Sequence, residues 1–82
     1  MSKMKARISK AIRSQGMYKS SYTGQLWKVE ENKQRKTDGQ VYVIKHKHPG
    51  RNEHIQAYAY SMESAVRKIL RHEEWAVRNK VF

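Results

Sequence analysis

The chain has 82 residues, 18 of them Lys or Arg and 7 Asp or Glu, giving a formal net charge of +11, with no Cys, one Pro and four Gly. That length suits one domain, close to the lower limit for burying its own core, and the 38% apolar and 10% aromatic content is too high for a disordered basic tail. Without cysteine there are no disulfides or thiolate metal sites, which fits a reducing compartment; no stretch reaches the roughly 20 apolar residues of a membrane span and no signal-like apolar run opens the chain, so a soluble, cytoplasmic protein is expected.

The first predicted element is a helix over about 3–15. Met4, Ile8, Ala11 and Ile12 recur at three- and four-residue spacing and share one side, while Lys3, Arg7, Lys10 and Arg13 cover much of the rest. Gly16 ends it. Residues 17–24 (MYKSSYTG) have no period and read as an ordered loop. A first strand over about 25–31 carries Trp27 and Val29 on one face and Leu26 and Lys28 on the other. NKQRKTDGQ follows, with the Asp38-Gly39 pair expected of a turn between antiparallel strands. The second strand, about 40–48, has the strongest β-branched and aromatic signal in the chain. Past the Pro49-Gly50-Arg51-Asn52 turn, a third strand over about 53–60 alternates Ile55, Ala57 and Ala59 with Gln56, Tyr58 and Tyr60. Ser61 then supplies a capping oxygen and Glu63 a first-turn charge for a helix over about 62–76, whose apolar side is Met62, Val66, Ile69, Leu70 and Val77.

This order predicts an α+β fold of αβββα type: a three-stranded antiparallel sheet with both helices on one face. The small side chains of Ala57 and Ala59 suit close approach of a helix. The expected core is Ile8, Ile12, Trp27, Val29, Ile55, Ala57, Val66, Ile69 and Leu70, with one set from the second strand. Either Tyr42 and Ile44 point inward, leaving Val41, Val43, Lys45 and Lys47 outside, or the reverse holds.

Over residues 3–75 this layout resembles the double-stranded RNA-binding domain. Ala65 and Arg67-Lys68 in SMESAVRKI echo the Lys-Lys-x-Ala-Lys run that opens that family's last helix, whereas KTDGQ stands where the family has a Gly-Pro loop with a His. The resemblance implies the αβββα fold and RNA as partner. Residues 25–76, with YSMESAVRKI at the strand-to-helix junction, also resemble the three-strand-plus-helix DNA-binding modules of AP2 type. That likeness implies an exposed sheet face laid in the major groove.

Charge placement points the same way on its own terms. Seven Lys or Arg and no carboxylate lie between Met1 and Val29, and all seven acids come later. Such a field concentrates polyanions and makes binding salt-dependent, so nucleic acid is the expected partner. The residues expected to meet phosphate are Lys3, Lys5, Arg7, Lys10 and Arg13 on the first helix, Lys45, Lys47 and Arg51 on the hairpin, and Arg67, Lys68 and Arg71 on the last helix. A solvated helix face is the plain alternative. Tyr58 and Tyr60, beside either Lys45 and Lys47 or His46 and His48, suit base stacking, with ordinary cross-strand packing as the alternative. Trp75 falls in the basic row of the last helix. It is read as a stacking group, as a side chain folded under the VRNKVF tail where the helix stops early, or as a dimer contact with Phe82.

His46 and His48 share one side of a strand and His54 lies across the turn, so three imidazoles approach as metal ligands do. No Asp or Cys completes a site, and Lys45, Lys47 and Arg51 repel a cation, so no metal is expected. There is no Gly-rich phosphate loop, nucleophile elbow or obvious carboxylate pair, so no catalysis and no cofactor is expected either. The reading is a non-catalytic nucleic-acid-binding protein. The competing class is a small phage-type inhibitor or adaptor that docks its basic surface on an acidic patch of a larger protein. RNA against DNA, single against double strand, and monomer against homodimer stay open.

Overall fold

A computed structural model describes residues 3–34 and 39–79 of the chain. Its elements are α1 (Lys3–Gln15), β1 (Met17–Lys19), β2 (Leu26–Glu31), β3 (Tyr42–Lys47), β4 (His54–Ala59) and α2 (Met62–Asn79). The strands form one sheet in the order β1-β2-β3-β4, with every neighbouring pair antiparallel. The helix, antiparallel sheet, helix layout is therefore as expected, but the sheet has four strands rather than three.

The additional strand comes from the segment expected to be a loop. Gly16 closes α1 with φ 74° and donates its N–H to Ile12 O at 2.9 Å. Its own carbonyl accepts from Val29 N at 2.8 Å, which delivers the chain directly onto β2. Tyr18 then pairs with Trp27 and Met17 with Lys28. Three residues are too few to show an alternation. The turn that returns the chain is built from polar groups: Ser20 Oγ accepts from Tyr22 N and Thr23 N at 3.1 Å each, and Ser20 N donates to Gln25 O at 2.8 Å. Ser20 and Thr23 are buried, and these bonds supply the partners that burial demands.

β2 and β3 pair in continuous register from Leu26 opposite Lys47 to Glu31 opposite Tyr42. Asn32 closes the base of this hairpin, with its N–H on Val41 O and its side-chain amide on Gln40 O. Asp38 of the expected Asp38-Gly39 turn lies outside the described residues, while Gly39 has φ 78°.

The phase of β3 is settled by burial. Ile44 and His46, each 1% exposed, oppose Val29 and Trp27 on the covered face, so Tyr42 and Ile44 are the inward set; Val43, on the opposite face with Lys45 and Lys47, is nevertheless buried rather than exposed. Between β3 and β4 the register slips: Ile44 opposes Ala57, but the next pair is Lys45 with Ile55, leaving Gln56 unpaired. This β-bulge reverses the alternation expected for the third strand. Ala57 and Ala59 stay on the covered face, whereas Ile55 is turned to the open face and is 53% exposed, so it does not belong to the core. His54 takes its place opposite His46.

Ser61 caps α2, its Oγ accepting from Ser64 N at 3.0 Å. The helix continues to Asn79, past the expected end near 76, so Trp75 stands on a helical turn rather than folded back under a tail. Ile8, Ile12, Tyr18, Trp27, Val29, Ile44, Ala59, Ala65, Val66 and Ile69 form one buried cluster, with Ala57 and Leu70 partly buried against it. Both helices supply this cluster and therefore lie on the same face of the sheet. Fully burying a side chain of the size of Ile8, Ile12 or Ile69 contributes about 2–3 kcal/mol, so the three together rival the net stability of a small domain.

Candidate nucleic-acid interface

The two-layer arrangement divides the cations foreseen in the sequence between opposite surfaces. On α1, Ile8 and Ile12 face the core, and Lys3, Arg7, Lys10 and Arg13 are all exposed on the side turned away from it. Lys5 is half-buried at the flank. No carboxylate occurs in α1, and Arg13 Nε donates to Ser9 Oγ at 3.1 Å. On α2, Arg67, Arg71 and Arg78 are exposed in the same way. Arg67 is ion-paired with Glu63 one turn earlier at 3.2 Å; both side chains are solvent-exposed, so the pair adds little stability, but the carboxylate offsets the charge of Arg67.

Lys45 and Lys47 lie on the other surface, the open face of the sheet. There Lys45 Nζ meets Glu30 at 2.9 Å and Lys28 Nζ meets Glu53 at 3.2 Å. The hydrogen bond and the charge of Glu30 push the Lys45 ammonium pKa up. Tyr58 is half-buried on this face opposite Val43, and Tyr60, 62% exposed, lies beyond the end of β4 with its ring beside Gly39. Arg51 is exposed in the turn between β3 and β4. The open face thus mixes paired lysines with the exposed apolar side chains of Met17 and Ile55. One ligand lying flat on α1 does not reach Lys45 and Lys47.

All four histidines gather at the covered end of β3. The His46 ring stacks on Trp27 with centroids 3.9 Å apart, and His48, His54 and His72 meet His46 edge-on at 4.4, 5.2 and 5.1 Å. The expected approach of His46, His48 and His54 is present. Among the described residues, no group of three or more His, Cys, Asp or Glu is arranged to hold a metal ion. Burial, followed by the neighbouring imidazoles, lowers the His46 pKa to about 4, and burial also lowers that of His72.

Beside this cluster a groove of about 430 Å³ opens between α2 and the β3–β4 edge. Lys68, Arg71, His72 and Trp75, at helical spacings of three, four and seven, form its α2 wall; Trp27, Ile44, Gln56 and Ala57 form the rest. Trp75 is 50% exposed, and Trp27 is buried with its indole N–H lacking a hydrogen-bond partner. His72 touches both indoles edge-on, at 5.0 Å from Trp27 and 6.1 Å from Trp75. Lys68 Nζ donates to Tyr58 O across the end of the groove. Sequence reasoning singled out Lys68, Arg71 and Trp75 but missed His72, whose position four residues after Lys68 and three before Trp75 was the available signal. Trp27 was expected only as core, and Gln56 joins the groove through a bulge that alternation does not reveal.

Across the described residues, no helix is long and apolar enough to cross a membrane. Compared with protein-family models, curated proteins and solved structures, the chain matches none.

Proposed function

We propose that this protein binds nucleic acid without catalysing a reaction, and that the helical layer is its phosphate-binding surface. The observation that carries this reading is the outward face of α1, where Lys3, Arg7, Lys10 and Arg13 are exposed together on a helix without a single carboxylate. Arg71 and Arg78 extend the positive field onto α2. A row of this kind follows a phosphate backbone and releases counterions on contact. The open sheet face is less suited, because Glu30 and Glu53 engage two of its lysines. The layout is roughly that of the double-stranded RNA-binding domain, with β1 as an additional strand, which adds support at the level of architecture alone. Bases would meet Trp75, Tyr58 or Tyr60 rather than any residue of α1.

The test is a fluorescence-anisotropy titration against single- and double-stranded DNA and RNA of equal length, each at two salt concentrations. The reading expects binding that weakens by about 0.9 log units per phosphate contact per log unit of salt on B-DNA, and by about 0.7 on single strands. Absence of binding, or binding indifferent to salt, would remove it and favour docking of another protein on this surface.

A further inference from the structure

We propose that the groove between α2 and β4 holds one unstacked nucleotide, its base lying on Trp75 and its phosphate held by Arg71 and Lys68. The inference rests on the nucleic-acid reading and deepens it, because it makes single strands the preferred ligand. Each feature of the groove matches one part of that ligand.

A volume of about 430 Å³ falls within the usual range for a small-molecule site. The half-exposed indole of Trp75 offers a flat surface for a base, held in place by the edge-on contact with His72 at 6.1 Å. Trp27, Ile44 and Ala57 give the groove an apolar lining on the sheet side, against which the edge of a base loses little. Both charged lining residues are cationic. Lys68 is already fixed by its bond to Tyr58 O and keeps two further protons for phosphate oxygens, and among the described residues the ion pairs do not include Arg71. A base inside a duplex, paired and stacked on both faces, does not enter a groove walled by α2 and β4. Single strands present their bases freely.

The full chain is titrated with oligothymidylate and oligouridylate of about ten residues, a matched duplex, and an abasic phosphodiester of the same length, following Trp emission and anisotropy. The chain has two Trp, and the exposed one is Trp75, so stacking is read as quenching. The expected result is quenching by oligothymidylate or oligouridylate, the two arms ranking DNA against RNA, and none by the abasic strand. Trp75→Ala should weaken single-strand binding roughly ten- to hundred-fold and leave abasic binding unchanged. Trp75→Phe should restore most of it. Ala57→Leu, which adds bulk to the groove wall and leaves residue 75 unchanged, should reproduce the loss, and circular-dichroism melting confirms that each variant is folded. If folded Trp75→Ala and Ala57→Leu both bind oligothymidylate and oligouridylate as the wild type does, the groove assignment is wrong while phosphate binding by α1 stands. If neither the base-bearing nor the abasic strands bind the wild type, both proposals fall together.

Discussion

The imidazole of His46 lies flat on the indole of Trp27, with ring centroids 3.9 Å apart and planes inclined by 13°. This stack sits at the meeting point of the sheet, the core and the groove, and the environment that makes it possible also keeps His46 neutral. Its pKa is lowered to about 4 from 6.5, by burial first and by neighbouring imidazoles second. Below pH 6.5 the unfolded chain takes up a proton at this position that the folded chain refuses until about pH 4. The unfolded state then binds more protons, so stability falls as pH drops through that window, by about 3 kcal/mol at most. Above pH 6.5 neither state is protonated and this contribution vanishes. Urea unfolding at about pH 7.5, 5.5 and 4.5 should show a steeper loss for the wild type than for His46→Phe, which keeps an aromatic ring on Trp27 and cannot titrate. Parallel pH profiles would show that His46 does not set the acid limb.

A second buried polar contact ties α2 to the turn between β1 and β2. Glu73 is fully buried, and its carboxyl accepts from Thr23 Oγ1 at 3.0 Å. Thr23 Oγ1 in turn accepts from Gln25 N at 3.2 Å, so one hydroxyl supports both the helix and the turn. Thr23→Val leaves two buried groups without this partner and should cost about 1–3 kcal/mol per orphaned group. Glu73→Gln retains an oxygen that accepts the same hydrogen bond and should cost less. Denaturant midpoints of the two variants decide the matter, and the order is the test: a milder Thr23→Val would mean that the hydroxyl is not the keystone of this turn.

The bulge at Gln56 makes an equally direct prediction, because it separates two isoleucines that alternation treats alike. Ile55 is 53% exposed on the open face and Ile44 is 1% exposed in the core. Ile55→Thr should change stability by no more than about 0.5 kcal/mol. Ile44→Ala should cost about 2–5 kcal/mol. Comparable losses at both positions in thermal or urea unfolding would mean that β4 pairs without the register shift.

These residues also mark where the fold could be read from the sequence and where it could not. The helices, the three longer strands and the capping roles of Gly16 and Ser61 were legible because their signals are local: periodicity, a left-handed glycine, a hydroxyl ahead of a helix. Strand β1 was not, since three residues carry no period and its pairing depends on the polar turn around Ser20 and on Gly16 receiving Val29 N. Ile55 was misassigned because a bulge is a property of two strands together. For the candidate site, helical spacing was enough to align Lys3, Arg7, Lys10 and Arg13, and to put Trp75 near Lys68 and Arg71. It did not show that Lys45 and Lys47 occupy the opposite surface, nor that His72 and Trp27 complete a groove with Trp75. Those relations arise only when the helices settle on one face of the sheet.

The α1 surface is the place to separate a phosphate-binding face from a merely solvated one. Lys3, Arg7 and Lys10 are exposed and point away from Ile8 and Ile12, so their reversal to Glu leaves the core untouched. Some strain between the new carboxylates is expected, limited to a few tenths of a kcal/mol per neighbouring pair on the helix. Binding, by contrast, should weaken for every sequence alike, because phosphate contacts carry no base information. If all three residues contact phosphate, the slope of log affinity against log salt should fall by roughly 2–3, whatever the absolute affinity. Reversal of Glu74, exposed on α2, to Lys should change affinity in the opposite direction if the helical layer acts as one field. An unchanged slope in the triple variant, with melting temperature preserved, would move the phosphate contacts off α1 and return Lys45 and Lys47 on the open sheet face to consideration.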